Sequence, residues 1–253
     1  MQVEAVKTRL ITSEDSLESI LNLLPELAEE DIVVITSKVI SVIQNRWVLK
    51  SMIDKHQLIL EEADAVLDMQ SRKDFYLTFK GGILIPNAGI DESNSQDYYI
   101  LYPKKVQTIC ADSWEYLKVK NNIKKLGVVI TDSHTTIMRR GVTGIALSWC
   151  GFAPIYSYIG AADLFGRELL VSQVNILDSL ATPAVFVMGE GAESTPITII
   201  KDVPRIVFSN SAPTQQELKS IIISLEEDLY GPLLKAGAWN SLKLKDGNWV
   251  DSL

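Results

Sequence analysis

The chain has 253 residues, 47% of them hydrophobic, which is enough for one large domain or two small ones around a sizeable core. A formal net charge of −8 and a pI of about 4.9 argue against nucleic-acid binding, which leaves a basic footprint. They leave room for a nucleotide, because a few local cations or a metal ion suffice for one phosphate chain. Cys110 and Cys150 are the only cysteines and no CxxC or HExxH spacing occurs, so neither a disulfide framework nor a zinc site is expected. The stretch MQVEAVKTRLITSEDS carries no apolar signal-peptide core, so a cytoplasmic location is the default expectation.

Taken in order, Glu4 to Ile11 reads as a first strand. Ser13 or Ser16 caps a helix running to about Leu24, with Leu17, Ile20, Leu21 and Leu24 on one face, until Pro25 interrupts it. Asp31 precedes a buried strand, Ile32 to Ile35, which ends on Thr36, Ser37 and Lys38. Lys38 suits a phosphate as a point charge, or is an ordinary surface lysine. Asp54 to Met69 reads as a helix through Leu58, Val66 and Met69. Phe75 to Phe79 and Gly82 to Ile85 read as two strands meeting near Lys80 and Gly81, a hairpin signal. In the loop Asn87 to Asn94, the residues Asp91, Glu92, Ser93 and Asn94 crowd together, as ligands or as plain turn formers. Lys104 to Leu117 is an amphipathic helix.

Gly127 to Gly144 reads GVVITDSHTTIMRRGVTG. Val128, Val129 and Ile130 form a buried strand that stops on Asp132 and Ser133. A carboxylate and a hydroxyl at a strand end suit a metal or phosphate site, and equally a helix N-cap. Gly141 to Ala162 carries no formal charge and is long enough to span a bilayer, but its glycines, Pro154, Thr143, Ser148 and Ser157 favour strands and turns. Asp163 to Arg167 is a polar turn before the apolar run Leu169 to Val171. Asn175 to Met188 has helical spacing, with a kink or early stop expected at Pro183. Gly189 to Glu193 is a glycine-bearing acidic loop ahead of the strand Ile197 to Ile200. It does not complete GxGxxG, because residue 194 is Ser, and no GxxxxGK[ST] occurs. Thr214 and Glu217 have capping-box spacing and open a helix through Leu218, Ile221, Ile222 and Leu225. The residues from about Gly231 to Leu253 are mixed, with Trp239 and Trp249 packing on the body or on a partner.

Asp91, Asp132 with Ser133, and Glu190 each follow an apolar segment. Brought together they would make an all-oxygen site, the hard-ligand chemistry of Mg²⁺ or Mn²⁺, with Lys38, Arg139 and Arg140 serving phosphates. Such an arrangement fits phosphoryl transfer, which is mostly positioning and charge neutralisation.

In combination, KTR at Lys7 to Arg9, DIVVITSKVIS at Asp31 to Ser41, NAGIDESN at Asn87 to Asn94, GVVITDS at Gly127 to Ser133, RRGVTGIAL at Arg139 to Leu147, DLFGR at Asp163 to Arg167, DSLAT at Asp178 to Thr182 and MGEG at Met188 to Gly191 resemble the coenzyme F420-0:L-glutamate ligase (F420 γ-glutamyl ligase) family. The likeness is strongest to its bacterial branch associated with folate metabolism. The resemblance implies an α+β fold of two intertwined lobes with mixed sheets, a catalytic unit over residues 1–230 with a C-terminal extension at 231–253, and a homodimer. It implies a ligase that joins L-glutamate to a small carboxylate acceptor, F420-0-like or folate-like, through an acyl phosphate. GTP would be the co-substrate, with two Mg²⁺ or Mn²⁺ ions per site and K⁺ as a further candidate ion. Asp91 and Asp132 would hold one metal, and Asp132, Ser133 and Glu190 the second, with Asp132 and Arg139 as the catalytic groups. The nucleotide would meet Lys7, Thr8, Arg9, Leu10, Ser37, Lys38, Asn94 and the loop Met188, Gly189, Gly191, Ala192, Glu193, Ser194 and Thr195.

The chain departs from the family where SKVVSKAEG becomes SKVISVIQN, which puts Val42 for a lysine and Gln44 for an acid. Ser133 replaces a metal-site threonine, Thr136 replaces an arginine, and DYRG becomes Ser157 to Gly160. The losses at Val42 and Thr136 motivate an alternative, a non-catalytic homologue that binds nucleotide or metal. His134, beside the substituted positions, is an acceptor contact or a packed histidine.

Overall fold

Ile32, Val33, Val34 and Ile35 are all fully buried, a run that only a strand covered on both faces can accommodate. They form the middle of a five-stranded sheet in a computed structural model that describes residues 1–67, 75–237 and 239–241. The elements are β1 (Gln2–Val6), α1 (Leu17–Leu21), β2 (Ile32–Thr36), α2 (Ser37–Ile43), β3 (Trp47–Leu49), α3 (Lys55–Glu62), β4 (Ala65–Leu67), β5 (Leu77–Lys80) and β6 (Ile83–Pro86). After a single 3₁₀ turn come β7 (Tyr98–Ile100), α4 (Val106–Asn121), β8 (Gly127–Thr135), β9 (Val142–Cys150), β10 (Ile155–Ser157), β11 (Gln173–Asn175), α5 (Ile176–Met188), β12 (Ile197–Lys201), α6 (Gln215–Ser220), α7 (Gly231–Ala236) and β13 (Trp239–Ser241).

The main sheet runs β1-β12-β2-β8-β9, with β2 and β8 parallel and the other pairs antiparallel. Val33 and Ile35 face one core with α1, α2 and α4; Ile32 and Val34 face a second core with α5. Between the parallel strands the chain leaves to build β4-β5-β6, which β13 joins from the far end of the chain to complete a four-stranded sheet, and the pair β3-β7. The whole is a mixed α+β fold with mixed sheets. No helix among the described residues is long and apolar enough to cross a membrane, and 142–150 of the uncharged stretch is strand β9.

Several expectations are corrected. The first strand ends at Val6, and residues 7–12 are irregular. Ser16, not Ser13, caps α1 in a reciprocal box with Ser19, and the helix stops at Leu21. The helix expected over 54–69 ends at Glu62, where Ala63 turns extended (φ −68°, ψ 145°), and Ala65–Leu67 pairs with β5. Sheet pairing of a β-branched residue, Val66, outweighs weak helical periodicity here; Met69 lies outside the described residues. The hairpin of β5 and β6 turns on Gly81 and Gly82 (φ 58° and 83°), the conformation a two-residue turn demands. Pro183 neither stops nor shortens α5, which Asn175 caps and which runs on to Met188. The capping box at Thr214 is present, but α6 closes at Ser220, leaving Ile222 and Leu225 beyond it. At the C-terminus, β13 pairs with β4, while Trp249 lies outside the described residues.

Candidate functional site

β2 and β8 run side by side, with Thr36 opposite Thr131. At that point β2 turns into α2, while β8 continues through Asp132 and Ser133 to Thr135, paired with β9 across a register shift after Ile130. Asp132 therefore sits within a strand and not at a helix start, which removes the N-cap reading. Because its parallel neighbour has ended, its carboxylate meets the first turn of α2. Ser37 Oγ donates to Asp132 Oδ2 (2.9 Å), and the Ser133 N–H donates to Oδ1 (2.8 Å).

The loop after β6 supplies the second acid. Asp91 is held by a bridge to Ile100, and its Oδ2 lies 2.6 Å from Lys38 Nζ. Lys38 also donates to Ser93 Oγ (2.7 Å), and the Ser93 N–H donates to Asp91 Oδ1 (2.7 Å). Ser93, one of the residues that crowd this loop in the sequence, is thus a member of the cluster, and its position two residues after an Asp sets its bond to that carboxylate. The third acid, Glu190, comes from the loop after α5. That loop is tied to the site by Asn94 Nδ2 donating to Gly191 O (2.8 Å) and to the N-terminal strip by the Thr8 N–H donating to Ser194 O (2.9 Å). Thr195 Oγ1 donates back to Met188 O (2.6 Å), which closes the loop on the helix end.

These pieces line one cleft of about 290 Å³. It gathers Thr8, Arg9, Leu10, Lys38, Asp91, Asn94, Asp132, Ser133 and every residue from Met188 to Thr195. Ser37 joins through Asp132. Lys7 is exposed beside the cleft without lining it. Arg139 is exposed in the turn between β8 and β9, its N–H on Thr136 O (3.3 Å), and the structure does not bring it to the cleft. Arg9 Nη1 donates to Asp15 Oδ2 (2.9 Å), so its guanidinium is already committed to a carboxylate. Val42 lines the cleft too, and so do Thr36, Val39, Ile100, Val185 and Pro196, whose contribution emerges only from the fold.

The electrostatics are those of a site short of cations. Burial, with the charge of Asp91 adding, pushes the Asp132 carboxyl up to about 6 against the hydrogen bonds from Ser133 and Ser37 and the charge of Lys38. Burial and Asp91 also raise Glu190, opposed by Lys38 and the Ser133 hydroxyl. For Asp91, burial acts upward, but Lys38 and Ser93 together outweigh it and hold the carboxyl below its ordinary value. Burial lowers the half-buried His134 imidazole, with Asp178 opposing.

Three carboxylates share one lysine here. Hard oxygens, with the ionised forms of Asp132 and Glu190 under-compensated, are the donor set that suits Mg²⁺ or Mn²⁺. Among the described residues no group of three Asp, Glu, His or Cys side chains is gathered closely enough to hold a metal ion, and Asp91 is paired with Lys38.

The fold and cleft define a mixed α+β protein in which acids, a lysine and a glycine-bearing loop from four separate segments meet. Residues 5–202 match the family described as F420-0:Gamma-glutamyl ligase, and the chain belongs to that family. It is therefore an enzyme of the acid–amino-acid ligase type. It is similar to the coenzyme F420:L-glutamate ligase of Methanococcus maripaludis strain S2, with 30% identity over 91% of this chain and 97% of that one. It is also similar to the protein of that name from Methanosarcina barkeri strain Fusaro (33%, covering 79% and 86%) and to that of Methanocaldococcus jannaschii (35%, covering 69% and 67%).

Proposed function

We propose that the enzyme joins L-glutamate to an acceptor carboxylate through an amide bond, at the expense of GTP and with two divalent metal ions, in the cytoplasm. The observation that carries this is the convergence of Asp91, Asp132 and Glu190 with Lys38 and the 188–195 loop on one cleft. Asp91 and Asp132 would hold one Mg²⁺ or Mn²⁺, and Asp132, Ser133 and Glu190 the other. Bound metal supplies charge neutralisation for the triphosphate and the developing acyl phosphate.

The remaining work falls to the chain. Ser37 and the Ser133 N–H fix the orientation of Asp132. Lys38, on the first turn of α2, meets phosphate oxygens. Asn94 holds the 188–195 loop in place through Gly191 O as the nucleotide cradle. The acceptor carboxylate takes the γ-phosphoryl group and GDP leaves. The glutamate amine, once deprotonated, attacks the acyl carbon and phosphate departs. The acceptor is F420-0-like by analogy with the named relatives; a folate-like pterin is the alternative. The departure of residues 37–126, which include the five strands β3 to β7, between β2 and β8 supports two intertwined lobes within a catalytic unit over 1–230. Exposed Leu164, Phe165, Leu170 and Val171 on the excursion between β10 and β11 support a homodimer.

The test is to incubate the protein with GTP, Mn²⁺, glutamate and candidate acceptors and to look for GDP and a glutamyl mass increment. Absence of GDP with every acceptor, together with no metal binding by calorimetry, overturns the reading. Val42, an apolar side chain in the cleft where the family carries lysine, favours the second reading, a nucleotide-binding homologue without turnover. Measured glutamyl transfer rejects that one.

A further inference from the structure

Residues 7–12 carry no regular structure, yet Thr8, Arg9, Leu10 and Ile11 form one wall of the cleft. An irregular wall keeps its shape only where bonds outweigh its conformational entropy. One end is tied by the Thr8 N–H to Ser194 O (2.9 Å). The other is gathered by a single carboxylate, Asp15, just ahead of α1. Asp15 Oδ2 accepts from the Thr12 N–H (2.9 Å) and from Arg9 Nη1 (2.9 Å). Its Oδ1 accepts from Arg9 Nη2 and from Ser19 Oγ (3.0 Å). The Asp15 side chain is 8% exposed and does not line the cleft, whereas that of Arg9 is 52% exposed and does. Arg9, and then the Thr12 N–H, hold the Asp15 carboxyl well below the ordinary carboxylate range.

A two-pronged pair with a carboxylate does two things to a guanidinium. It fixes the plane, and it offsets the charge. Arg9 Nη1 is used twice, since it also donates to Leu10 O (2.9 Å). An arginine so committed is poorly matched to phosphate oxygens, but its flat face still suits a heteroaromatic ring. The neighbouring wall has the same character: Leu10 is exposed on the cleft, and Ile11, Val39 and Val42 add apolar surface. Lys38 and Val42 lie four residues apart on α2, so the cleft passes along one helix face from a cation to an apolar wall.

We propose that Asp15 is a positioning residue for nucleotide binding: it holds Arg9 as a flat, charge-offset platform on which the nucleobase stacks beside Val42, while Lys38 meets the phosphates. This deepens the ligase reading and rests on its nucleotide. Asp15 touches no ligand and acts through Arg9, so its removal frees the guanidinium to swing and unties residue 12 from the turn before α1.

The experiment is calorimetry on the full-length protein in saturating Mg²⁺, with GDP and, separately, inorganic pyrophosphate, which carries phosphates and no base. Asp15→Asn, Arg9→Met and Arg9→Lys should each weaken GDP about tenfold and leave pyrophosphate at its wild-type affinity. Arg9→Lys sits on an exposed side chain and keeps the charge while losing the plane, so it tests the platform even if Asp15→Asn fails to fold. Adding Asp15→Asn to Arg9→Met should weaken GDP no further, whereas a residue that merely supports the fold would give additive losses. The proposal is overturned by a wild type that does not bind GDP, by wild-type GDP affinity in Arg9→Lys, by an equal loss of pyrophosphate, or by additivity in the double variant. Glutamyl transfer is measured alongside. If no acceptor supports turnover while GDP binds in the expected pattern, the ligase reading fails and the platform stands. If transfer proceeds in Asp15→Asn with an unchanged KM for GTP, the platform fails and the ligase reading stands.

Discussion

Replacing Asp132 by Asn should make the metal-free protein more stable at neutral pH. The Asp132 carboxyl titrates near 6, chiefly because burial penalises its ionised form, whereas in an unfolded chain it titrates near 3.8. The folded state therefore binds this proton more tightly. Its contribution is fully present below about pH 3.8 and is lost as the pH rises towards 6. At 1.36 kcal/mol for each unit, ionising Asp132 costs the fold about 2–3 kcal/mol once solvent screening of a half-buried group is allowed for. Asn keeps the shape and still meets Ser37 Oγ and the Ser133 N–H, but escapes that cost. Urea unfolding in chelator at pH 4.5 and pH 7.5 should show the variant ahead by about 2–3 kcal/mol at the higher pH, roughly 4–10 °C in Tm, and by much less at the lower. Saturating Mg²⁺ should stabilise the wild type and not the variant. A variant less stable than wild type at pH 7.5 in chelator would refute the account of Asp132 as an under-compensated buried charge.

Lys38→Met removes the cation 2.6 Å from Asp91. Calorimetry should show Mn²⁺ binding the nucleotide-free variant about tenfold more tightly and GDP about tenfold more weakly. Asn94→Ala, which cuts the tie to Gly191 O, should weaken GDP binding severalfold and leave Tm within about 2 °C, because the bond is exposed. Gly144→Ala should cost about 3 kcal/mol or more in urea unfolding, since an added Cβ would lie 2.2 Å from Ala181 O in the middle of α5.

What the sequence reveals here depends on whether the signal is local. Val128 to Ile130, the helical spacing from Asn175 to Met188 and the box Thr214–Glu217 are each decided within a few residues, and each is found where its pattern puts it. The strand at Ala65–Leu67 was hidden inside a helical reading, because what makes it a strand is β5, a partner beyond the reach of any short window. The extension of β8 past Ile130 was hidden for the same reason: Asp132 and Ser133 look like a loop until β9 pairs with them. The clustering of Asp91, Asp132 and Glu190 on one cleft was inferred from chemistry and resemblance, since no spacing predicts that residues so far apart converge. Arg139 shows the limit, because it is only seven residues from Asp132 in sequence yet rides out on an exposed turn.

The parallel pairing of β2 with β8 has a consequence for how the enzyme forms. Closing it requires residues 37–126, about ninety in all, to loop out and return. Relative to a short crossover of about twelve residues, that adds only about 2 kcal/mol of closure entropy, because the cost grows with the logarithm of length. The kinetic consequence is larger, since the central rung of the sheet joins Ile32 to Gly127, and non-local pairings of this kind form slowly. Ser37 opens that loop, Asp91 lies within it and Asp132 follows its end, so the cleft does not exist in any partly folded chain that has yet to close it. Ligands that span the three residues would then act as a latch on that closure, slowing its reversal in proportion to how tightly they bind.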